Sequence, residues 1–398
     1  MGDKSLPQFL MTSERGSFAQ KTILHRKPQI INQVITDNDY SPEIIDKLIL
    51  FKDEIGSNYK IQPLTEDTAD VQQWNNLWGK YKKKSWLELP WYFAETFFYR
   101  RLLEIIKYFQ PGIFLSKDPF QKLKSKEIEN SIESLSHTID SIGKIKDLKI
   151  SFEKRIHACL WGNRLDLSNF TVKNDIKHKQ AMIERENILI NDFSKVYDVI
   201  TQKSLSHVAF FNDNIGMEFD FDLLLTDFLF RNNWVDKITF YLKPYPFFVS
   251  DVMIKDFHET VQILQHSSYS NLKVLGNRIQ TTFNQRKLSI STDPFWASSS
   301  HFCEMANSLL EELSMYDLII LKGDVNYRRL LSDRNWPYTT SIKEIVEYFP
   351  VSTLILRTLK SQIMVNLKEK QVKKIEAEDP EWLINGKRGI IQYIEKET

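Results

Sequence analysis

From about residue 205 the chain alternates short apolar runs with longer segments whose apolar residues recur at helical spacing. The runs 207–211, 237–242, 287–290, 317–322 and 352–357 read as strands. The segments 217–231, 251–265, 302–314 and 341–348 read as helices between them. Such alternation predicts βαβ units and an α/β domain built on a mostly parallel sheet flanked by helices. A last apolar run, Gly389 to Ile394, is expected at a sheet edge.

Before residue 190 the period is helical throughout. Pro28 precedes a helical run over Gln29 to Ile35, and Ser41-Pro42 offers an N-cap and first-turn proline for Ile44 to Ile49. The stretch Pro90 to Leu103 is apolar nearly all round, which predicts a helix buried between others. Glu95, Tyr99 and Arg100 on it are expected to be buried polar groups satisfied by neighbouring helices rather than members of a cleft. Residues 117–154 read as a solvated amphipathic pair of helices, a scaffold. A Gly162-Asn163 helix stop follows, where Asn163 and Asp166 could serve a site or simply cap. Asn191-Asp192 offers an N-cap for a helix from Phe193. The expected division is an all-helical N-terminal subdomain over 1–190 and an α/β domain over 191–398, sharing an interface because no long linker separates them.

Composition changes this picture little. At 398 residues two subdomains are the default, and 42% hydrophobic with 26% charged residues is the balance of a soluble globular chain. A formal charge of +1 does not suggest a nucleic-acid or membrane-surface protein. Only 12 glycines argue against Gly-rich phosphate loops. Cys159 and Cys303 are too few for a disulfide framework or thiolate zinc site and suit a reducing compartment. No apolar run is long enough to span a bilayer, and Leu6 stands where a myristoylation motif wants Ser or Thr. The expectation is a soluble intracellular protein of the cytoplasm, with the nucleus left open, and no obligate protein partner indicated.

Candidate chemistry gathers where the strands end. The first run stops at Asp213-Asn214 and bends at Gly216. The second leads through Lys243 to Ser250-Asp251, and the fourth into Lys322-Gly323-Asp324-Val325-Asn326-Tyr327-Arg328-Arg329. The fifth ends in Arg357-Thr358-Leu359-Lys360. In a parallel sheet all these carboxyl ends lie on one edge, where ligands bind. Carboxylate and amide oxygens suit hard divalent cations, while Arg357, Lys360 and helix N-termini would supply donors for an anion. Each residue also has a plain alternative: Asp213 and Asn214 as a turn, Asp251 as an N-cap, Asp324 and Asn326 as turn residues, Lys360 as a solvated charge. Their coincidence at one edge favours a phosphoryl-handling site.

The stretches Asp213-Asn214-Ile215-Gly216-Met217-Glu218, Ser250-Asp251, Lys322 to Leu330, Ser332 to Trp336 and Arg357-Thr358-Leu359-Lys360 resemble the metal-dependent damage-control phosphatases. The resemblance is to the subgroup with a C-terminal Arg-Thr-x-Lys motif that acts on sugar phosphates. It extends to Gly16-Ser17-Phe18-Ala19, Tyr99-Arg100-Arg101 and Leu160-Trp161-Gly162-Asn163, and so covers nearly the whole chain. It implies a Rossmann-like domain under a helical N-terminal part, with one divalent metal (Mg²⁺, Mn²⁺, Co²⁺ or Ni²⁺) held by Asp213, Asn214 and Asp251. Glu218, Asp324, Asn326, Tyr327 and Lys360 would contact the substrate or its phosphate. Glu218, four residues beyond Asn214, can point into the same site. Arg328 and Arg329 are expected either to pair with acids such as Glu218 or to lie at the surface.

The implied activity is hydrolysis of small sugar phosphates such as fructose 1-phosphate or fructose 6-phosphate. In it, Asp213 or Asp251 would be the catalytic residue that orients the attacking water, and Lys360 a point charge for the phosphate, aided by backbone N–H groups around Gly323. A covalent aspartyl-phosphate is the mechanistic alternative. An S-adenosylmethionine-dependent carboxyl methyltransferase is the alternative enzyme, although the turn after the first run holds one glycine where a Gly-rich loop is usual. A catalytically silent sugar-phosphate sensor is the third reading.

Overall fold

The structure, a computed structural model, describes residues 6–162, 186–202 and 204–396. The expectations for Asn163 and Asp166 lie outside these residues. Seven strands form one sheet: β1 (Ile188–Asn191), β2 (Leu205–Phe211), β3 (Val235–Tyr241), β4 (Leu288–Ser291), β5 (Leu318–Lys322), β6 (Thr353–Thr358) and β7 (Gly389–Ile394). Their order is β1-β7-β6-β5-β2-β3-β4, and every neighbouring pair is parallel except β6 with β7. The α/β class and mostly parallel sheet are therefore as read from the periodicity.

Covering both faces is what makes the central strands apolar throughout. All five residues of β5 and all six of β6 are buried. Along β2 the alternation of side chains is visible in the packing: Val208 and Phe210 join one core, Ala209 and Phe211 the other. The first core lies under the helices Gln121–Gly143, Leu148–Trp161, Met217–Arg231, Ile254–His266 and Ser270–Asn284. The second gathers Trp296, Phe302, Leu330 and Trp382 with Leu10, Trp91 and Tyr92 of the N-terminal part.

A third core fills the helical half. It is built on the helix Trp91–Ile105, in which every residue from Trp91 to Arg100 is buried, and it takes in Tyr245 and Phe247 from the loop after β3. Glu95 pairs with Lys27 at 2.5 Å, and Arg100 with Asp70 at 2.6 Å and with Glu66. Glu95 and Arg100 are thus buried groups paired by neighbouring segments, as expected. Tyr99 differs, since its hydroxyl has no hydrogen-bond partner among the described residues, though Lys27 Nζ lies 4.4 Å from its ring centroid.

Several expected elements shift. β7 is not an edge strand, because β1 pairs outside it. β1 itself went unread: its apolar run Ile188-Leu189-Ile190 is too short before Asn191-Asp192 to stand out as a strand. The helix expected over 302–314 is a single 3₁₀ turn at Phe302–Glu304 followed by a helix at Asn307–Ser314, and 341–348 contracts to Ile342–Ile345. Ser270–Asn284 is an additional helix. No helix among the described residues is long and apolar enough to cross a membrane.

Candidate active site

β2 ends at Phe211, and the next side chain turns inward. Asn212 Nδ2 donates to Asp222 Oδ2 at 2.8 Å, and Asp222 in turn pairs with Lys322 at the end of β5. This buried network ties two strand ends to the Met217–Arg231 helix beneath the edge. Above it the chain after β2 and the loop after β3 are joined by an antiparallel bridge between Asn214 and Asp251. Ile215 N donates to Ser250 O at 2.7 Å, and Val252 N to Asp213 O at 3.0 Å. Backbone pairing thus sets Asp213, Asn214 and Asp251 side by side.

Their side chains complete the cluster. Asn214 Nδ2 donates to Asp213 Oδ2 at 3.0 Å and to Glu218 Oε2 at 3.2 Å, while its Oδ1 accepts from Ser250 Oγ at 2.7 Å. Glu218 faces Lys360 Nζ at 3.5 Å, and Asp251 Oδ2 lies 3.5 Å from Lys243 Nζ with no hydrogen-bond partner among the described residues. Burial, then repulsion from Glu218 and Asp251, lifts Asp213 well above the usual carboxylate range. Burial likewise pushes Asp251 up to about 6, against the pull of Lys243 and Lys124. Lys243 is lowered by its own burial, although Asp251 opposes this. Glu218, ahead of a smaller penalty from burial, raises Lys360.

Beside them stands a differently balanced acid. Asp324 Oδ1 accepts from Arg357 Nε at 2.8 Å and from Lys360 N at 3.3 Å. Burial would raise Asp324, yet Arg357 holds it below the usual range. Arg357 is fully buried and also donates to Ile363 O at 2.6 Å, so it clamps the loop after β6 and is not the free anion donor that its place at the strand end suggested. Lys360 alone of the Arg-Thr-x-Lys cations remains half-exposed, its side chain 52% accessible. The helix Gly323–Leu330 starts here without a side-chain cap, leaving first-turn N–H groups at the edge. Gly323 has φ +84°, and a Cβ on it would fall 1.9 Å from Asp213 Oδ2, so only glycine lets that helix begin against the carboxylate.

The edge therefore brings together Asp213, Asn214, Glu218, Asp251 and Lys360, with Asp324 behind Lys360. Asn326 and Tyr327 lie deeper. Asn326 Nδ2 donates to Lys322 O at 2.9 Å, and Tyr327 is fully buried with its hydroxyl 4.0 Å from Met364 Sδ. Arg328 pairs with Asp333 at 2.5 Å and stacks on Trp91. Arg329 is buried on the carbonyls of Phe295, Trp296 and Ser300. Arg328 thus pairs with an acid, though not Glu218, whereas Arg329 reaches neither an acid nor the surface, because its planar guanidinium satisfies several carbonyls at once.

Sequence reasoning missed three charged neighbours: Lys243, Lys124, whose Nζ donates to Asp251 O at 2.9 Å, and Glu127, raised by burial and by Glu218. A lysine directly after the apolar run of β3 was a usable signal for the first. The other two sit on a helix whose pattern is that of a solvated scaffold.

Among the described residues no three His, Cys, Asp or Glu side chains come together as a metal-holding group. The donor set is two carboxylates and an amide. Hard oxygen donors, like charges forced together in a buried place, and an orphaned Asp251 oxygen fit a divalent cation.

Residues 22–375 match the damage-control phosphatase ARMT1-like domain. Damage-control phosphatase ARMT1 of Danio rerio is 30% identical, with 97% of this chain and 97% of the relative covered. The protein of the same name from Homo sapiens is 30% identical, covering 98% of each. A crystal structure of a DUF89 family protein from Pyrococcus horikoshii superimposes with a TM-score of 0.48 at 13% identity, over 94% of this chain and 96% of that one.

Proposed function

Because the chain belongs to the damage-control phosphatase ARMT1-like family, we propose that it is a metal-dependent phosphomonoesterase of small sugar phosphates, fructose 1-phosphate and fructose 6-phosphate among them. The observation that carries this reading is the convergence of Asp213, Asn214 and Asp251 with Lys360 on one strand edge. Asp213, Asn214 and Asp251 would hold the cation, of which Mg²⁺, Mn²⁺, Co²⁺ and Ni²⁺ are the candidates. When bound, the cation supplies a Lewis acid that offsets charge on a phosphate oxygen.

The chain's own groups do the rest. Lys360 and the open N–H groups of the Gly323–Leu330 helix bind the remaining phosphate oxygens. Asp213 or Asp251 orients a water in line with the ester bond, whose oxygen leaves with the sugar. Glu218, held between Asn214 and Lys360, accepts from a sugar hydroxyl. Asp324 and Arg357 fix the backbone of Lys360, and Asn326 and Tyr327 brace the same strand ends. The test is release of inorganic phosphate from a panel of sugar phosphates with each metal in turn and with EDTA. Release that needs metal and favours ketose phosphates is expected. A flat response across the panel leaves this reading without support.

A further inference from the structure

Away from the strand edge, the helices Gln121–Gly143, Leu148–Trp161, Met217–Arg231 and Ser270–Asn284 border a cavity of about 230 Å³. Three arginines face one carboxylate there. Arg278 Nη1 lies 3.4 Å and Arg231 Nη1 3.7 Å from the same oxygen, Asp227 Oδ2. Arg155, only 7% exposed, lies with its guanidinium 4.3 Å from the centroid of the Phe228 ring. It donates from Nη1 to Ser151 O at 2.9 Å and Oγ at 2.6 Å, and its Nε has no partner among the described residues. Burial, then the neighbouring Arg231, pull Arg155 down to about 10, with Asp227 opposing.

The backbone adds to this excess of positive charge. Ser270 and Asn271 line the cavity at the start of a helix with no side-chain cap, so its unsatisfied N–H groups and positive dipole end lie at the rim. Asp140, which accepts from Asn271 Nδ2 at 2.8 Å, is exposed and therefore screened. The carboxyl end of the Met217–Arg231 helix disfavours an anion, and Arg231 in its last turn offsets that.

We propose that this cavity binds a small phosphate-type oxyanion, held by Arg155, Arg231, Arg278 and the uncapped amides of Ser270 and Asn271. Its volume suits a phosphate or a short phosphorylated sugar. It is separate from the strand-edge cluster: Glu218 and Arg231 stand at opposite ends of one helix, roughly 20 Å apart at 1.5 Å per residue. The proposal rests on its own charges and does not require the phosphatase reading.

The experiment is isothermal titration of inorganic phosphate into the full chain in EDTA, in a Lys360→Ala background that weakens phosphate binding at the strand edge. Adding Arg231→Ala and Arg278→Ala is expected to weaken phosphate binding about tenfold or more. Both side chains are about half exposed, at 55% and 45%, so the chain should fold without them. In the parent background the same pair of changes should leave metal-dependent phosphate release unaltered. Phosphate affinity that is the same with and without the two arginines overturns the proposal, as does a Lys360→Ala chain that binds no phosphate. A pentose phosphate titrated in parallel identifies the ligand: tighter binding than phosphate assigns a phosphorylated sugar, equal binding the free ion.

Discussion

Buried charge is handled in opposite ways in the helical half and at the carboxyl edge of the sheet. Around the Trp91–Ile105 helix of the helical half, opposites meet: Lys27 with Glu95, Arg100 with Glu66 and Asp70. At the edge, Asp213, Glu218 and Asp251 are gathered with the same sign, held by a backbone bridge and a glycine contact rather than by mutual attraction. The first arrangement serves the fold. The second opposes it, and local conflict of this kind is expected where a chain keeps a place for something else. The boundary between the two is sharp, because Asp324, next to Asp213 across Gly323, is paired with Arg357 and belongs with the scaffold.

The comparison is sharpened most by breaking a scaffold pair. Lys27→Met strands Glu95 as an unpaired buried charge, and a loss of about 3–5 kcal/mol in urea unfolding is expected. Burial already pulls Lys27 down to about 8 against the attraction of Glu95, so the pair leaves little room for rearrangement. A loss below about 1 kcal/mol would mean the pair is not what holds that core. Phosphate release per folded molecule should be unchanged.

Asp251→Asn should reverse the pattern. Phosphate release is expected to fall roughly 10²–10³-fold, while metal-free stability stays about level, because the repulsion removed from Asp213 offsets the loss of Lys243's partner. A metal-free chain destabilised as much as by Lys27→Met would erase the distinction between the regions. Gly323→Ala tests the contact that joins them. A Cβ overlapping Asp213 Oδ2, at positive φ, should cost about 1–3 kcal/mol and displace that carboxylate, so both stability and activity fall.

Much of this was legible in the sequence because parallel strands send their carboxyl ends to one edge. Reading β2, β3, β5 and β6 correctly was enough to place Asp213, Asn214, Asp251 and Lys360 together. Partner choice was not legible. That Arg357 would turn to Asp324, 33 residues before it, and Arg329 to three carbonyls depends on distances that only packing sets. Lys124 carries no signal at all, since its helix is polar over most of its surface. β7 was visible as a strand, yet its place inside the sheet depends on the one-sided β1, and the Ser270–Asn284 helix is interrupted by Gly276 in mid-pattern.

The smallest effect concerns Asp220, a buried acid that belongs to neither class. Its Oδ2 accepts from Ser131 Oγ at 2.5 Å, and among the described residues its Oδ1 has no partner and no cation faces it. Burial, opposed by Ser131, pushes it up to about 7. A raised carboxyl keeps its proton in the folded chain while the unfolded chain, near a pKa of about 3.9, has lost it. Its contribution is therefore fully present below about pH 4 and is lost as pH rises towards 7, by at most about 1.4 kcal/mol per unit. Asp220→Asn removes the titration, so its stability should fall less steeply than that of the parent between those limits in urea unfolding at stepped pH. Parallel curves would place Asp220 among acids ionised in the folded state, and would mean that the protein tolerates an unpaired buried carboxylate even where no ligand is expected.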